Sequence, residues 1–75
     1  MTFQELLDKT RDIDLESIGV YLGKPANMVD TISCFEENGQ WVIREITERQ
    51  KVYEERGSEE DIMRNMFAEI RLRNC

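Results

Sequence analysis

The chain has 75 residues, of which 40% are hydrophobic and 35% are charged, and its formal net charge is −6. A chain of this length buries only about 60% of the surface that its unfolded form exposes, which leaves little room for a deep active-site cleft. The composition is that of one folded domain spanning residues 1–75 rather than a disordered tail, and the acidic charge disfavours direct binding to nucleic acid phosphates.

The first predicted element is a short amphipathic helix. In TFQELLDKTRDI, residues 2–13, apolar side chains recur at helical spacing, with Thr2 as N-cap and Glu5 three residues later. No basic region followed by an apolar run opens the chain, so the sequence predicts no signal peptide. No apolar run approaches the roughly 20 residues that a membrane span needs. We therefore expect a cytoplasmic protein that makes no membrane contact.

Two short segments rich in β-branched and aromatic residues follow. IGVYLG, residues 18–23, predicts a strand, and MVDTISCF, residues 28–35, predicts a second one. Between them, Pro25 restricts the backbone of Lys24 and has no amide donor, which is typical of a loop.

A tight hairpin is predicted at the dipeptide Asn38-Gly39, which is preferred in two-residue type I′ turns because both residues tolerate a positive φ. With this turn, Glu37 pairs with Gln40, and the register of both strands follows. One face then carries Ile32, Cys34, Trp41 and Ile43, and the other carries Val29, Phe35, Val42 and Ile46. Because both faces are partly apolar, the strand pair is either covered on both sides or leaves one apolar face for a partner.

The remainder of the chain predicts a further strand and a long helix. WVIREITERQKVYEERG, residues 41–57, is expected to fold back once between Glu48 and Lys51. Ser58 then caps a helix whose first turn is acidic. The apolar stripe of this helix is expected to be buried and consists of Ile62, Met63, Met66, Phe67 and Ile70. The predicted fold class is α+β: a small antiparallel sheet of three to four strands, arranged as a meander, with an N-terminal and a C-terminal helix.

The residue types that carry catalysis or bind metals are scarce. There is no histidine, the usual proton carrier near neutral pH, so none is available to activate Cys34. Cys34 and Cys75 have no near neighbours and predict neither a disulfide framework nor a zinc site. The segment Asp12–Glu16 is similar to the start of a calcium loop, but Ser17 and Gly23 occupy positions that require glycine and glutamate. We predict no catalytic residue, metal or cofactor.

The charge is concentrated in the first half of the chain, because residues 1–37 hold eight acids and only three bases. Such a field is suited to a basic surface on a protein partner, although the same acids would also serve solubility alone. Tryptophan is enriched at interface hot spots, so Trp41 is either an edge of the core or an aromatic anchor for the partner. The predicted partner-binding residues are five acids and one aromatic side chain: Asp12, Asp14, Glu16, Glu36, Glu37 and Trp41.

Residues 38–70 resemble the C-terminal half of small bacterial immunity proteins, which accompany polymorphic toxins, including those of contact-dependent growth inhibition. The resemblance lies in a Gly-x-Trp strand start, a Glu-Arg pair near the strand end and a Ser-Glu-Glu helix start. Here these are Gly39 and Trp41, Glu48 and Arg49, and Ser58, Glu59 and Glu60. Gln50 departs from the glycine that often follows the Glu-Arg pair.

The resemblance implies a non-enzymatic inhibitor of one toxin domain, in many such systems a nuclease with a basic substrate surface. Two other functions use the same features of the sequence. One is an acidic phage-encoded inhibitor of a host defence or nucleic-acid-binding protein. The other is a small regulatory or accessory subunit that forms a homodimer.

Overall fold

The computed structural model describes all 75 residues as an α+β fold with a four-stranded sheet, as predicted. The elements in chain order are α1 (Phe3–Lys9), a 3₁₀ turn (Leu15–Ile18), β1 (Val20–Leu22), β2 (Thr31–Glu37), β3 (Gln40–Ile46), β4 (Val52–Gly57) and α2 (Glu59–Arg73). The strand order in the sheet is β1-β2-β3-β4, so β1 and β4 form its two edges. Neither helix is long and apolar enough to cross a membrane.

The hairpin between β2 and β3 has the predicted turn and register. Asn38 and Gly39 have φ values of 54° and 80°, as a type I′ turn requires. Glu37 pairs with Gln40, and the pairing continues in step to Thr31 and Ile46. The turn dipeptide therefore determines which side chains of the two longest strands share a face.

The sheet is mixed rather than wholly antiparallel, because β1 pairs with β2 in parallel. A parallel neighbour cannot be reached through a tight turn, so the connection, residues 23–30, must return to the end of the sheet where β2 begins. Val29, which was expected to lie on a strand face, belongs to this connection and is exposed. β2, β3 and β4 form the predicted meander.

The turn between β3 and β4 forms without a glycine. Gln50 takes a φ of 66°, a left-handed conformation that a glycine would adopt more readily. Thr47 and Lys51 close the loop: the Thr47 amide donates to the Lys51 carbonyl at 2.9 Å, and the Lys51 amide donates to Thr47 Oγ1 at 3.2 Å. The side chain of Thr47 thus supplies a bond that compensates for an unfavourable turn residue.

Both helices pack on one face of the sheet and form the main core. Thr2 and Glu5 form the predicted capping box of α1, and Ser58 caps α2 through the Asp61 amide. The core cluster contains nine buried side chains: Leu6, Val20, Ile32, Cys34, Ile43, Ile62, Met63, Met66 and Ile70. Phe67, which was expected to be buried with them, is only half-buried at the margin of this cluster.

The opposite face of the sheet is also covered, but by different groups. Phe35 and Val42 are buried there, and the connection of residues 23–30 contributes Ala26, which is buried as well. Arg44 extends over this face, with its guanidinium 5.0 Å from the centre of the Phe35 ring and Nη1 3.5 Å from Oδ1 of Asn27. Of the two arrangements left open by the sequence, the strand pair therefore has the one with cover on both sides.

Candidate partner-binding surface

The predicted acids of the N-terminal region lie together on the surface, in the segment between α1 and β1. Asp12, Asp14 and Glu16 are all exposed. Glu16 borders a surface depression that also includes Asp30 and Thr31, at the end of the sheet where β2 begins. Since none of the three carboxylates takes part in an ion pair, this region retains its negative charge.

The predicted acids of the hairpin lie at the other end of the sheet. Glu36 is exposed, whereas Glu37 accepts a hydrogen bond of 2.7 Å from Arg56 Nη2 in an ion pair. This bond raises the pKa of the Arg56 guanidinium. Glu36 and Glu37 are separated from the start of β2 by most of the length of that strand. At about 3.3 Å per residue, this distance is roughly 15–20 Å. The structure does not bring the two predicted acidic groups into one contact surface.

Trp41 is engaged within the fold. It is half-buried, packs against the core cluster and stacks on Phe3 with ring centroids 5.0 Å apart. Its neighbour across the hairpin is the exposed Glu36. Trp41 thus lies at the edge of the core with one margin accessible, and it is not a free aromatic side chain.

A groove between β4 and α2, which the sequence did not predict, forms a concave surface on the helical side of the sheet. It has a volume of about 290 Å³ and reaches down to the core residues Ile32 and Ile43. Tyr53 lines one wall. It pairs with Glu45 across the two strands and so lies on the sheet face that the helices cover, but it is still 56% exposed. Ala68 lines the other wall. We call this feature the β4–α2 groove; its floor is apolar but buried, because Ile32 and Ile43 are 1% and 6% exposed, and its accessible apolar surface belongs to Tyr53 and Ala68.

Four glutamates line the β4–α2 groove: Glu45, Glu54, Glu55 and Glu69. The carboxylate of Glu54 lies on the opposite face of β4, where Arg44 Nε donates to its Oε2 at 2.7 Å, and this bond holds the pKa of Glu54 below its ordinary value. Glu45 lies 3.9 Å from Arg73.

The other two carboxylates of the groove have no cation beside them. Asn65 Nδ2 donates to Oε2 of Glu55 at 2.7 Å, which orients this carboxylate without neutralising it. Neither Glu55 nor Glu69 forms an ion pair. The exposed apolar surface of Tyr53 and Ala68 beside two uncompensated carboxylates can bind the aliphatic stem and the charged head of a lysine or arginine.

A signal for this groove exists in the sequence of β4, VYEERG. Neither face of that strand carries an apolar stripe, because Tyr53 and Glu55 alternate with Val52, Glu54 and Arg56. A strand with two polar faces is typical of a sheet edge that is not fully covered. The position of α2 beside it follows from tertiary packing and cannot be read from the strand alone.

The Cys34 thiol lies in the main core. Burial raises the pKa of the Cys34 thiol to about 12, so this thiol is neutral and unreactive near physiological pH. No group of three or more histidine, cysteine or carboxylate side chains is placed to hold a metal ion. Cys75 is exposed and free.

No protein-family model matches the chain, and no curated protein or solved structure matches it either. Any functional conclusion therefore depends on the surface geometry and charge described above.

Proposed function

We propose that this protein is a non-enzymatic inhibitor that binds a protein partner with a basic surface, in the manner of an immunity protein that neutralises a cognate toxin domain. The observation that carries the proposal is the β4–α2 groove. There, neither Glu55 nor Glu69 forms an ion pair, and both line the groove together with the exposed side chains of Tyr53 and Ala68.

The groove is suited to a cationic partner for two physical reasons. A lysine or arginine of the partner would pack its methylene groups on the exposed Ala68 wall of the groove while its charge meets the carboxylates. The exposed ring of Tyr53 adds a surface on which a cation or an aliphatic stem can pack. A toxin nuclease carries such side chains where it holds phosphates, so the same contacts would block its substrate.

The groove is also built on regular elements. Its walls are a strand and a 15-residue helix, and its floor belongs to the main core. A surface of this kind loses little conformational entropy on docking, so a larger share of the contact energy appears as affinity.

The proposal is tested by affinity capture from a lysate of the native host, followed by co-expression of the captured protein in a growth assay. We expect the wild-type chain to restore growth against a toxic partner. The variant Glu55→Lys/Glu69→Lys should lose rescue. The matched control Asp8→Lys/Glu48→Lys has the same change of net charge on exposed residues outside the groove and should retain it. Loss of rescue in both variants, or in neither, would contradict the assignment of the groove.

A dimerising accessory subunit remains the second candidate, because Leu72 on α2 is 70% exposed beside Ala68 and Cys75. Sedimentation of the wild-type chain in reducing buffer separates the two functions. A stable dimer that Leu72→Ser converts to a monomer supports the subunit, whereas a monomer at micromolar concentration supports the inhibitor.

A further inference from the structure

The outer edge of β4 has backbone groups that the sheet leaves unpaired. In an antiparallel pair, hydrogen-bonded and non-hydrogen-bonded positions alternate. In the hairpin of β2 and β3, the pair beside the two-residue loop, Glu37 and Gln40, is hydrogen-bonded. On β3, every second residue from Gln40 onwards therefore bonds to β2, and the residues between them bond to β4.

The same alternation determines which backbone groups of β4 face outwards. Its residues opposite the β4-bonding positions of β3 are Tyr53, Glu55 and Gly57. The bond from the Thr47 amide to the Lys51 carbonyl, 2.9 Å, continues this series into the turn. The amides and carbonyls of the alternate residues point away from β3, and these residues are Val52, Glu54 and Arg56. No further strand lies beyond β4 to accept them.

A second copy of the chain is a poor occupant of this edge. Two copies of β4 related by a two-fold axis that continues the sheet must pair residues of the same face. The two registers that centre the pair within Val52–Gly57 place Glu54 against Glu54 or Glu55 against Glu55. The second register also brings Glu54 opposite Arg56, but these two side chains already have ion-pair partners within the chain, whereas the facing Glu55 carboxylates have none. Like charges directly opposite each other are destabilising, so the charges of β4 disfavour self-pairing.

We propose that the occupant is an extended basic segment of the protein partner, which pairs antiparallel with β4 as a fifth strand. This inference rests on the proposed function and names the chemistry of the partner: lysine or arginine at alternate positions of a strand. Side chains directly opposite one another in a sheet share a face. The partner residues opposite Tyr53 and Glu55 would therefore extend over the β4–α2 groove, where Glu55 and Glu69 have no cation.

The charge on the other face of β4 indicates which residue types suit the remaining positions of the partner segment. Glu54 is engaged there by Arg44 at 2.7 Å and by Arg56 at 3.4 Å, so this face has little unpaired charge. Uncharged residues such as threonine or valine suit these positions. Main-chain hydrogen bonds would supply affinity, and the alternate basic side chains would supply specificity, as in other cases of strand addition.

The test uses a short synthetic peptide of the length of β4 in which lysine alternates with threonine. In the proposed pairing, the lysines extend over the groove, and the threonine amides are the ones that bond to β4. A peptide with N-methylated threonine amides should bind at least tenfold more weakly. A peptide with N-methylated lysine amides should bind like the parent, which controls for the effect of methylation on charge and conformation. Equal binding of the two methylated peptides would overturn the proposal.

Amide exchange measured by NMR gives an independent readout on the wild-type protein. The amides of Val52, Glu54 and Arg56 should exchange more slowly when the peptide is bound, and those of β1 at the other edge should not change. Protection elsewhere, with these three amides unaffected, would place the peptide on another surface and overturn the inference.

The charge of the groove is tested with Glu55→Gln and Glu69→Gln, which keep the size of the side chains. Each substitution should weaken binding of the lysine peptide several-fold, whereas the control Asp8→Asn, at an exposed residue outside the groove, should leave binding unchanged. Failure of the peptide assays while the chain still rescues growth would reject strand addition and leave the inhibitor function intact. Strand addition with no rescue of growth would reject the inhibitor function alone.

Discussion

The ring of Phe3 stacks on the ring of Trp41, with centroids 5.0 Å apart and planes inclined by 28°. This contact joins the first turn of α1 to the start of β3. The same corner holds the Phe3 amide, which donates to Oε2 of Glu59 at 2.8 Å at the start of α2. Three elements thus meet at Phe3, and Trp41 contributes to their packing.

The stack predicts coupled losses of stability. We expect Phe3→Ala and Trp41→Ala each to lower the free energy of unfolding by about 2–3 kcal/mol. Truncation of a fully buried aromatic side chain costs about 3–5 kcal/mol, and the expected loss is smaller here because both rings are half-buried. The double variant should lose less than the sum, by about 0.5–1.5 kcal/mol. Urea unfolding of the four proteins measures the coupling, and strictly additive losses would show that the rings do not interact.

Two neighbours on α2 should respond differently to truncation. Met66 has no exposed surface, whereas Phe67 lies at the margin of the core with the Arg71 guanidinium 5.8 Å from its ring. Met66→Ala should therefore cost about 2–5 kcal/mol, the range of buried methionine truncations, and Phe67→Ala should cost less despite the larger side chain removed. Thermal unfolding of the two variants checks the order, and a larger loss for Phe67→Ala would contradict the assigned burial.

Two glycines with left-handed backbones provide a third comparison. Gly19 and Gly39 have φ values of 74° and 80°, so alanine is strained at both, by about 1–2 kcal/mol. A Cβ at Gly39 would meet nothing within 4 Å, but a Cβ at Gly19 would lie 2.6 Å from the carbonyl oxygen of Asp30. Gly19→Ala should therefore be the more destabilising variant in urea unfolding. Equal losses would show that the backbone around Asp30 yields freely.

Local chemistry in the sequence accounts for much of this fold. Asn38-Gly39 sets the register of the hairpin, and Thr2 and Ser58 mark the helix starts through side-chain bonds to nearby amides. These features involve residues a few positions apart, so one sequence is enough to predict them.

Features that depend on packing over long separations were not accessible in the same way. The parallel direction of β1 depends on the path of residues 23–30 across the sheet, which no local motif specifies. The half-burial of Phe67 at the margin of the core cluster depends on tertiary packing around α2. The β4–α2 groove combines residues from β2, β3, β4 and α2, whereas the charge pattern of the sequence indicates only which segments are acidic.

The thiol of Cys34 predicts a loss of stability at alkaline pH. Its pKa is about 12 in the folded protein against an ordinary value of 9.0, because burial disfavours the thiolate. Above pH 9 the unfolded chain loses this proton and the folded chain keeps it. The contribution to stability is thus complete below pH 9 and decreases by up to about 1.4 kcal/mol per pH unit as pH rises towards 12.

The variant Cys34→Ala separates this effect from the titration of the tyrosines, which both proteins contain. The stability of the variant should fall less steeply than that of the wild type over the same pH range. At neutral pH, a thiol reagent should modify one group quickly, the exposed Cys75, and the buried Cys34 only as the chain unfolds. Cys75→Ser should abolish the fast phase. Rapid modification of that variant would show that Cys34 is accessible.

The kinetics of partner binding should separate the acidic regions of the surface. Exposed charges act mainly on the association rate and are screened over a Debye length of about 8 Å at physiological ionic strength, so association should slow as salt rises. Glu36→Lys/Glu37→Lys, and likewise Asp12→Lys/Asp14→Lys, should slow association without unfolding the protein or changing dissociation. Glu55→Lys/Glu69→Lys should also speed dissociation, because a cation in direct contact with these carboxylates would be repelled. Surface plasmon resonance with the captured partner measures both rates across a salt series. Faster dissociation of the hairpin or N-terminal variant, with the groove variant unchanged, would transfer the contact from the groove to the acids first predicted from the sequence.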